Sequence, residues 1–484
     1  MKTVLKTLPL AVMLAACSFT PEYVEPQVAL PQSWMEVAIA EQDATGALAA
    51  DLGWRDYFRD AQLQTLIAEA LAHNHDLKKA ALNVQIAQAQ YGIQRTGELP
   101  QVNANGTVTR SRTPRDLSGT GHSRVGEAYS VGLGAAAFEL DFYGRVQAMS
   151  EQALNRYFAT REAHDAAQLA IIAAVAKTYY QARTAQAQLA LAEDVLKTRE
   201  ESYRLSRLQF DAGLLTASAL RGVEAQIESA RGSAAEAKRA RQQALNALSM
   251  LVGKPVSQLA LPSSGELKKA FADIRLPAGI PASVLVHRPD IREAEYLLKA
   301  ANANIGAARA ALYPSVALTG SLGFGSTELK NLLERPNLSW NIGPSVMLPI
   351  FDRSKLKRNV DISEAQQQIA VENYQSVVQG AFYEVANALI ARETLAEQYQ
   401  AQQRGNKSVA ERMRLEKLRF NAGVSTALDL LDAERESYAS EQGLLATQLQ
   451  ILANNVDLYI AMGGGLAEYG AGRPAGALPV KTAK

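Results

Sequence analysis

The sequence predicts a mainly helical chain that also contributes strands to a membrane β-barrel, with both parts built from one unit used twice. Three observations carry this expectation. The 484-residue chain repeats itself at an offset that drifts from 214 to 210 positions. Each pair of strand-like segments is followed by a helical run of roughly 67 residues, or about 100 Å, which no globular core accommodates. No segment reaches the roughly 18 uninterrupted apolar residues of a membrane helix. The "LAIIAAVA" run at 169–176 is bounded by Gln168 and Lys177, so strands must do any spanning of a bilayer.

Length alone allows roughly two to four domains. A net charge of +1 points to no nucleic-acid partner. Aromatics are sparse at 6%, while Ala, Gln, Glu, Leu and Arg dominate long stretches, a bias toward helices with small residues at their contacts. The single cysteine, Cys17, excludes an intrachain disulfide and any multi-cysteine metal site. Its context, "MKTVLKTLPLAVMLAACS", has Lys2 and Lys6 before an apolar run too short to cross a bilayer. Leu14-Ala15-Ala16-Cys17 resembles the bacterial lipobox, in which the cysteine becomes the lipidated first residue. Residues 1–16 therefore read as a signal peptide cleaved before Cys17, and 17–60 as a lipid-anchored N-terminal segment. Ser18, where an aspartate would favour retention in the inner membrane, goes with outer-membrane sorting.

The elements follow in order. Asn74–Pro100 lies without gaps over Arg288–Pro314, matching Asp76 with Asp290, Gly92 with Gly306, Arg95 with Arg309 and Pro100 with Pro314. These segments predict helices over about 61–97 and 283–312, each stopping before its proline. Strands are expected at 101–113 and 126–140, and again at 315–326 and 338–350, where Val316, Leu318, Leu322 and Phe324 alternate with Ala317, Thr319, Ser321 and Gly323. Loops 114–125 and 327–337 are polar and turn-rich. The long runs after Gly144 and Arg353 carry an apolar seam stepping by three and four: Leu169, Ile172, Ala176, Tyr179, then Tyr374, Val378, Ala381, Val385, Ala388. A long dimeric coiled coil has the same pattern.

"YRLSRLQFDAG" (203–213) and "MRLEKLRFNAG" (413–423) then match at 6 of 11 positions. Gly213 and Gly423 end their helices with the positive φ that glycine adopts cheaply. Return helices are expected at 217–250 and 425–462, so each copy closes as an antiparallel hairpin with tips near 211–216 and 421–426. The first repeat spans 61–250 and the second 283–462; the proline-rich 251–282 links them, and 463–484 forms a flexible tail.

Strands of 12 to 15 residues extend about 40–50 Å, or about 30 Å when tilted, enough to cross a bilayer. Four strands cannot close a barrel, and lipid tolerates no open edge, so closure requires subunits; three chains supply twelve strands. Alternation alone leaves a soluble β-sandwich open, but the lipobox and the adjoining rods of about 100 Å argue against it.

Across essentially its whole length the chain resembles an outer membrane factor of the TolC superfamily, in the lipoprotein branch that serves RND multidrug efflux systems. The resemblance rests on the lipobox, "ELDFYGR" (139–145), "RPDI" (288–291), "ANANIGAARAALYPSVALTGSLG" (301–323), "LPIFD" (348–352), "ALDLLDAER" (427–435) and "GGG" (463–465). It implies a homotrimer in the outer membrane: a 12-stranded barrel continued by a periplasmic α-helical tunnel with a mixed equatorial belt. It further implies a periplasmic membrane-fusion adaptor and an inner-membrane RND transporter as partners. By the same resemblance, Asp429 and Asp432 constrict the tunnel tip. Their spacing puts both on one helix face, which in a trimer makes two rings of carboxylates. The equivalent positions of the first copy are Ala219 and Gly222. The family's namesake carries an aspartate at the Ala219 position and an arginine at the Ser425 position; both are missing here, so that lock is not implied. Arg221 and Arg435 are the candidate substitutes, and Leu214, Leu215, Val424 and Ser425 the candidate adaptor contacts.

Nothing suggests an enzyme or a cofactor. His73 and His75 point apart on a helix, "GGGLAEYG" lacks a phosphate loop's Lys-Ser/Thr, and no GxSxG occurs. The expected function is a passive exit duct for drugs and other small molecules, gated at its periplasmic tip. The alternatives are a duct for type I protein secretion and a non-transporting coiled-coil lipoprotein. Radiolabelled palmitate should enter the wild-type chain and not Cys17→Ala; label persisting in the variant refutes lipidation at this residue.

Overall fold

In β4, Leu338, Trp340, Ile342 and Val346 alternate with Ser339, Asn341, Gly343 and Ser345, and the same two-residue rhythm passes through the whole sheet. A computed structural model describes residues 18–31, 52–119, 121–256, 285, 288–422 and 424–468. Within it, β1 (Val102–Thr113), β2 (Arg124–Leu140), β3 (Ser315–Ser326) and β4 (Leu338–Met347) form one antiparallel sheet in the order β1-β2-β3-β4. The registers Val108↔Tyr129, Val131↔Phe324, Leu133↔Leu322, Leu322↔Trp340 and Gly320↔Ile342 put one apolar face across all four strands. The other face carries Asn105↔Gly132, Gly134↔Ser321 and Ser321↔Asn341, the last pair 3.2 Å apart through side-chain oxygens. Leu133, Leu322, Trp340 and Ile342 are exposed in the single chain. A bulge between Ala135 and Phe138 places Ala137 at φ 49°, and its N–H donates to Thr319 Oγ1 at 3.2 Å. β4 ends at Met347, three residues short of the expected 350, before Pro349, which has no N–H to continue a ladder.

The helices are α1 (Trp54–Tyr57), α2 (Ala61–His73), α3 (His75–Thr96), α4 (Arg145–Asp211), α5 (Ala217–Val252), α6 (Pro289–Ala310), α7 (Arg353–Asn421) and α8 (Ala427–Ala461). α4 and α7 run 67 and 69 residues. The one long helix expected at 61–97 is instead two. Asn74 breaks it, because its buried carboxamide accepts from the backbone of Asp76 (2.8 Å) and Leu77 (3.0 Å), capping α3, and donates to Leu251 O at 2.8 Å. At the matching position of the second repeat, Arg288 precedes α6. None of the described helices is long and apolar enough to cross a membrane. Of the 251–282 linker, only 251–256 are described; the expected signal peptide, Cys17 and 469–484 lie outside the described residues.

The chain divides into two compact units: 1–27, 82–162 and 292–376 in the first, and 28–81, 163–291 and 377–484 in the second. The first holds the sheet. It also holds the N-terminal strap 18–27, which runs beside α6. Phe19 stacks on Tyr313 (4.5 Å), Asn302 Nδ2 donates to Pro21 O (2.7 Å), and Tyr374 OH donates to Glu25 Oε1 (3.1 Å). Glu162, almost wholly buried, meets Arg292 at 3.1 Å. Gly306 is where the strap comes closest: a Cβ there would lie 2.2 Å from Thr20 Oγ1 and 2.8 Å from Thr20 Cα.

The second unit holds both hairpin tips and return helices and a core of large aromatic side chains. Tyr57 and Tyr459 stack at 3.9 Å with Phe58 edge-on, and the hydroxyls donate to Asn455 O (2.8 Å) and Leu52 O (2.7 Å). Asp60 caps α2 through Gln62 N and Leu63 N, and also accepts from Tyr179 OH (2.8 Å) and Arg183 (3.1 Å). Arg288 donates to Asp290, Glu384 and the Ala461 carbonyl at the end of α8. The seam residues Leu169, Ile172, Ala176, Tyr179, Tyr374, Val378, Ala381, Val385 and Ala388 are all buried.

Gly306→Val should expel the strap, since overpacking costs about 1–3 kcal/mol and the strap is what can yield. Limited proteolysis within 18–27 is expected to accelerate. Gly92→Val, at the repeat-equivalent site with nothing within 4 Å, serves as the control and should not change it. Equal strap protection in both variants contradicts this packing.

Candidate gate at the hairpin tips

Helix α4 stops where its carbonyls find partners in the turn. Gly213, at φ 75°, lets Leu214 N–H reach back to Gln209 O (2.8 Å) while its own N–H meets Phe210 O (2.9 Å). Thr216 then caps α5 by accepting from Ala219 N at 3.2 Å. The second tip repeats the geometry: Val424 N–H donates to Arg419 O at 3.0 Å, and Thr426 caps α8. Gly423 lies outside the described residues. Leu214 and Val424 are exposed, Leu215 and Ser425 partly so, and Ser425 Oγ is a buried hydroxyl with no partner.

The copies diverge one turn into the return helix. In the first, the third helical residue is Ala219, so Thr216 receives nothing back. In the second it is Asp429, which completes a capping box: Oδ2 accepts from Thr426 N–H (3.0 Å) and Thr426 OH (2.6 Å), while Asp429 N–H donates to Thr426 Oγ1 (3.2 Å). These hydrogen bonds, Thr426's hydroxyl first and its amide second, hold the Asp429 carboxyl below the usual carboxylate range, with Arg419 and Arg412 assisting. Asp432 pairs with Arg435 at 3.0 Å on the same helix. Arg221 pairs with Glu224 at 2.5 Å and is mostly exposed. The sequence signal for Thr426 is Thr-x-x-Asp ahead of an apolar run, which reading Asp429 as a pore charge alone leaves out. His73 Nδ1 lies 3.0 Å from Glu69 O, and no cluster of three or more metal-binding groups occurs among the described residues.

Chemically, the second tip presents two carboxylates on one face, one tied to the backbone that starts the helix and one paired with a neighbouring cation. The profile of the outer membrane efflux protein family matches residues 66–254 and 280–464, which together carry both hairpins and all four strands. The chain belongs to this family. It is 39% identical over 469 residues to the probable efflux pump outer membrane protein TtgC of Pseudomonas putida, covering 96% of each chain. It is 37% identical over 465 residues to the cation efflux system protein CusC of Escherichia coli, covering 95% of this chain and 99% of that one. Among solved structures, the open-state MtrE outer membrane channel of Neisseria gonorrhoeae superposes with a TM-score of 0.84 at 44% identity, over 94% of this chain and all of MtrE. The CmeC outer membrane channel of Campylobacter jejuni reaches 0.85 at 26% identity, over 93% of this chain and 96% of CmeC. This is the TolC-like fold of outer-membrane efflux channels, mostly helical with four strands per chain.

Because the folded pKa of Asp429 lies below its unfolded value, its capping contribution is present above the ordinary carboxylate pKa and is lost as pH falls through the lowered one. Thr426→Ala should cost about 1 kcal/mol of local helix stability. Hydrogen exchange in the first turn of α8 should then quicken in Thr426→Ala, and in the wild type at acidic pH, while α5 is unaffected. Equal exchange in the two return helices at every pH contradicts the capping role.

Proposed function

We propose that the chain is the outer-membrane exit duct of a tripartite RND-type efflux pump. It conducts small molecules passively through a homotrimer whose periplasmic tip is the gate. The observation that carries this reading is the two-faced sheet, apolar over most of one side, where the Arg110–Glu127 ion pair sits at the loop end, and small or polar on the other, with β1 and β4 unpaired on their outer edges among the described residues. In lipid such a sheet is stable only when closed, and closure by three copies gives twelve strands around a polar lumen. The membership of the family and the efflux roles named for its relatives support the same conclusion. A periplasmic adaptor and an inner-membrane transporter complete the assembly, the adaptor docking at Leu214, Leu215, Val424 and Ser425.

At the gate, Asp429 and Asp432 form two rings of three carboxylates, attractive to cations. Arg435 partly neutralises the second ring, leaving Asp429 as the dominant charge. With both rings removed, the mutual attraction of each ring for bridging cations disappears and the constriction loses its charge barrier. In planar bilayers, Asp429→Ala/Asp432→Ala should therefore show larger conductance steps and weaker cation selectivity, whereas Arg435→Ala strengthens cation selectivity. Cells carrying the double variant should also admit large antibiotics. Conductance and selectivity equal to wild type in both variants reject the gate assignment, and a protein that never forms conductance steps rejects the duct.

A further inference from the structure

The apolar side of the first strand pair ends in charge. On that face of β1, Val102, Ala104 and Val108 are followed by Arg110 and Arg112 as the strand approaches the β1–β2 loop. Opposite the two arginines, β2 places Glu127 and Val125. The second strand pair has no such ending. The same face of β3 runs Val316, Leu318, Leu322 and Phe324 to Ser326, where the strand stops. Arg110 pairs with Glu127 at 3.2 Å. Arg112 is exposed and donates only to Ser123 Oγ, at 3.4 Å; among the described residues it meets no carboxylate.

Position along the strands sets the depth of these charges. All the long helices join the sheet at one end, because β1 follows α3, β2 precedes α4, β3 follows α6 and β4 precedes α7. With the helices in the periplasm, the loop end faces outward. The apolar row of β2 runs from Leu140 through Leu133 to Tyr129, about 34 Å along the strand and about 25 Å of membrane at a tilt of about 40°. That is the height of the apolar band of an outer-membrane barrel. Tyr129 stands at its outer edge, the level at which barrels carry aromatic girdles. Arg110 and Glu127 then lie about 5 Å beyond the band and Arg112 about 10 Å beyond it, in the headgroup layer. An arginine on the lipid side is costly at the midplane and costs little at this level. Its planar fork of donors fits phosphate oxygens two at a time.

We propose that Arg112, with Arg110 beside it, is a binding site for a phosphate of the phosphorylated glycolipid in the outer leaflet, one site per copy of the chain. The acyl chains of the same lipid lie along the apolar row below, from Val108 and Tyr129 toward Leu133. Arg112 supplies the uncompensated charge, and Glu127 holds back part of the attraction that Arg110 exerts. The site rests on a barrel closed with its apolar face to lipid; it does not rest on the gate or on what is transported.

The test titrates the full-length trimer in detergent with diphosphorylated lipid A, with its dephosphorylated form and with phosphatidylglycerol, and reads bound lipid by native mass spectrometry. The wild type should bind the diphosphorylated glycolipid roughly tenfold more tightly than either of the others. Arg112→Gln should remove most of that preference. Arg124→Gln, which changes an arginine at the same end of β2 on the polar face, should keep it. Glu127→Gln, which releases Arg110, should tighten binding, an effect that loss of structure does not produce. A wild-type preference in Arg112→Gln overturns the site. So does an equal loss in Arg124→Gln, or phosphatidylglycerol bound as tightly as the diphosphorylated glycolipid. If Arg112→Gln fails to assemble, Glu127→Gln carries the test: tighter binding supports the site, and unchanged or weaker binding overturns it. Conducting trimers whose variants bind lipid like the wild type overturn the site and leave the duct standing. The expected losses in a protein that gives no conductance steps support the site and reject the duct.

Discussion

A backbone N–H or C=O in the hydrocarbon of a membrane must find a partner within protein, and the rest of this molecule follows from that requirement. Each unsatisfied group costs several kcal/mol, which rules out any open strand edge facing lipid. The chain nevertheless ends its sheet at β1 and β4, whose outer edges no described segment covers. A single copy is therefore incomplete as a membrane structure. Closure by further copies is a condition of the sheet's survival in lipid, and the polar face it encloses is the route a channel of this fold offers to a solute.

Duplication supplies the parts of that trimer, and the copies have since diverged in what surrounds each backbone position. Gly92 and Gly306 occupy equivalent places, yet only Gly306 lies under a crossing segment, Thr20. Thr216 and Thr426 both cap return helices, but only Thr426 receives a carboxylate in exchange. Asn74 breaks a helix where Arg288 instead bridges Asp290, Glu384 and the last carbonyl of α8. Backbone reversal is thus common to both hairpins, while the tip chemistry belongs to the second.

What could be read from the sequence follows the range of the interaction responsible. Helix lengths, the seam from Leu169 to Ala388 and the strand alternation arise from local periodicity, and the buried and two-faced patterns are where that periodicity puts them. Asn74 was hidden because its capping hydrogen bonds are local but its donation to Leu251 O crosses 177 positions, and the apolar pattern continues through it. The strap on α6 was hidden for the same reason: Phe19 meets Tyr313, and Pro21 meets Asn302, with no repeat or period to announce them. Asp429 stood out as a charge, but its backbone role depended on reading Thr426 with it.

Packing is distributed unevenly through the second unit. Around Tyr57, Tyr179, Tyr180, Tyr459 and Phe382 the largest side chains are fully buried, and the hydroxyls of Tyr57, Tyr179 and Tyr459 are hydrogen-bonded, so this region has little freedom to rearrange. Toward the tips the aromatic core gives way to a cavity and to ion pairs. Each carboxylate of α8 has a partner on its own helix, Thr426 for Asp429 and Arg435 for Asp432, and the cap holds Asp429 below the usual carboxylate range. Under the proposed gate reading, the tip changes its diameter by shifting whole hairpin ends while the local partners of each carboxylate stay in place.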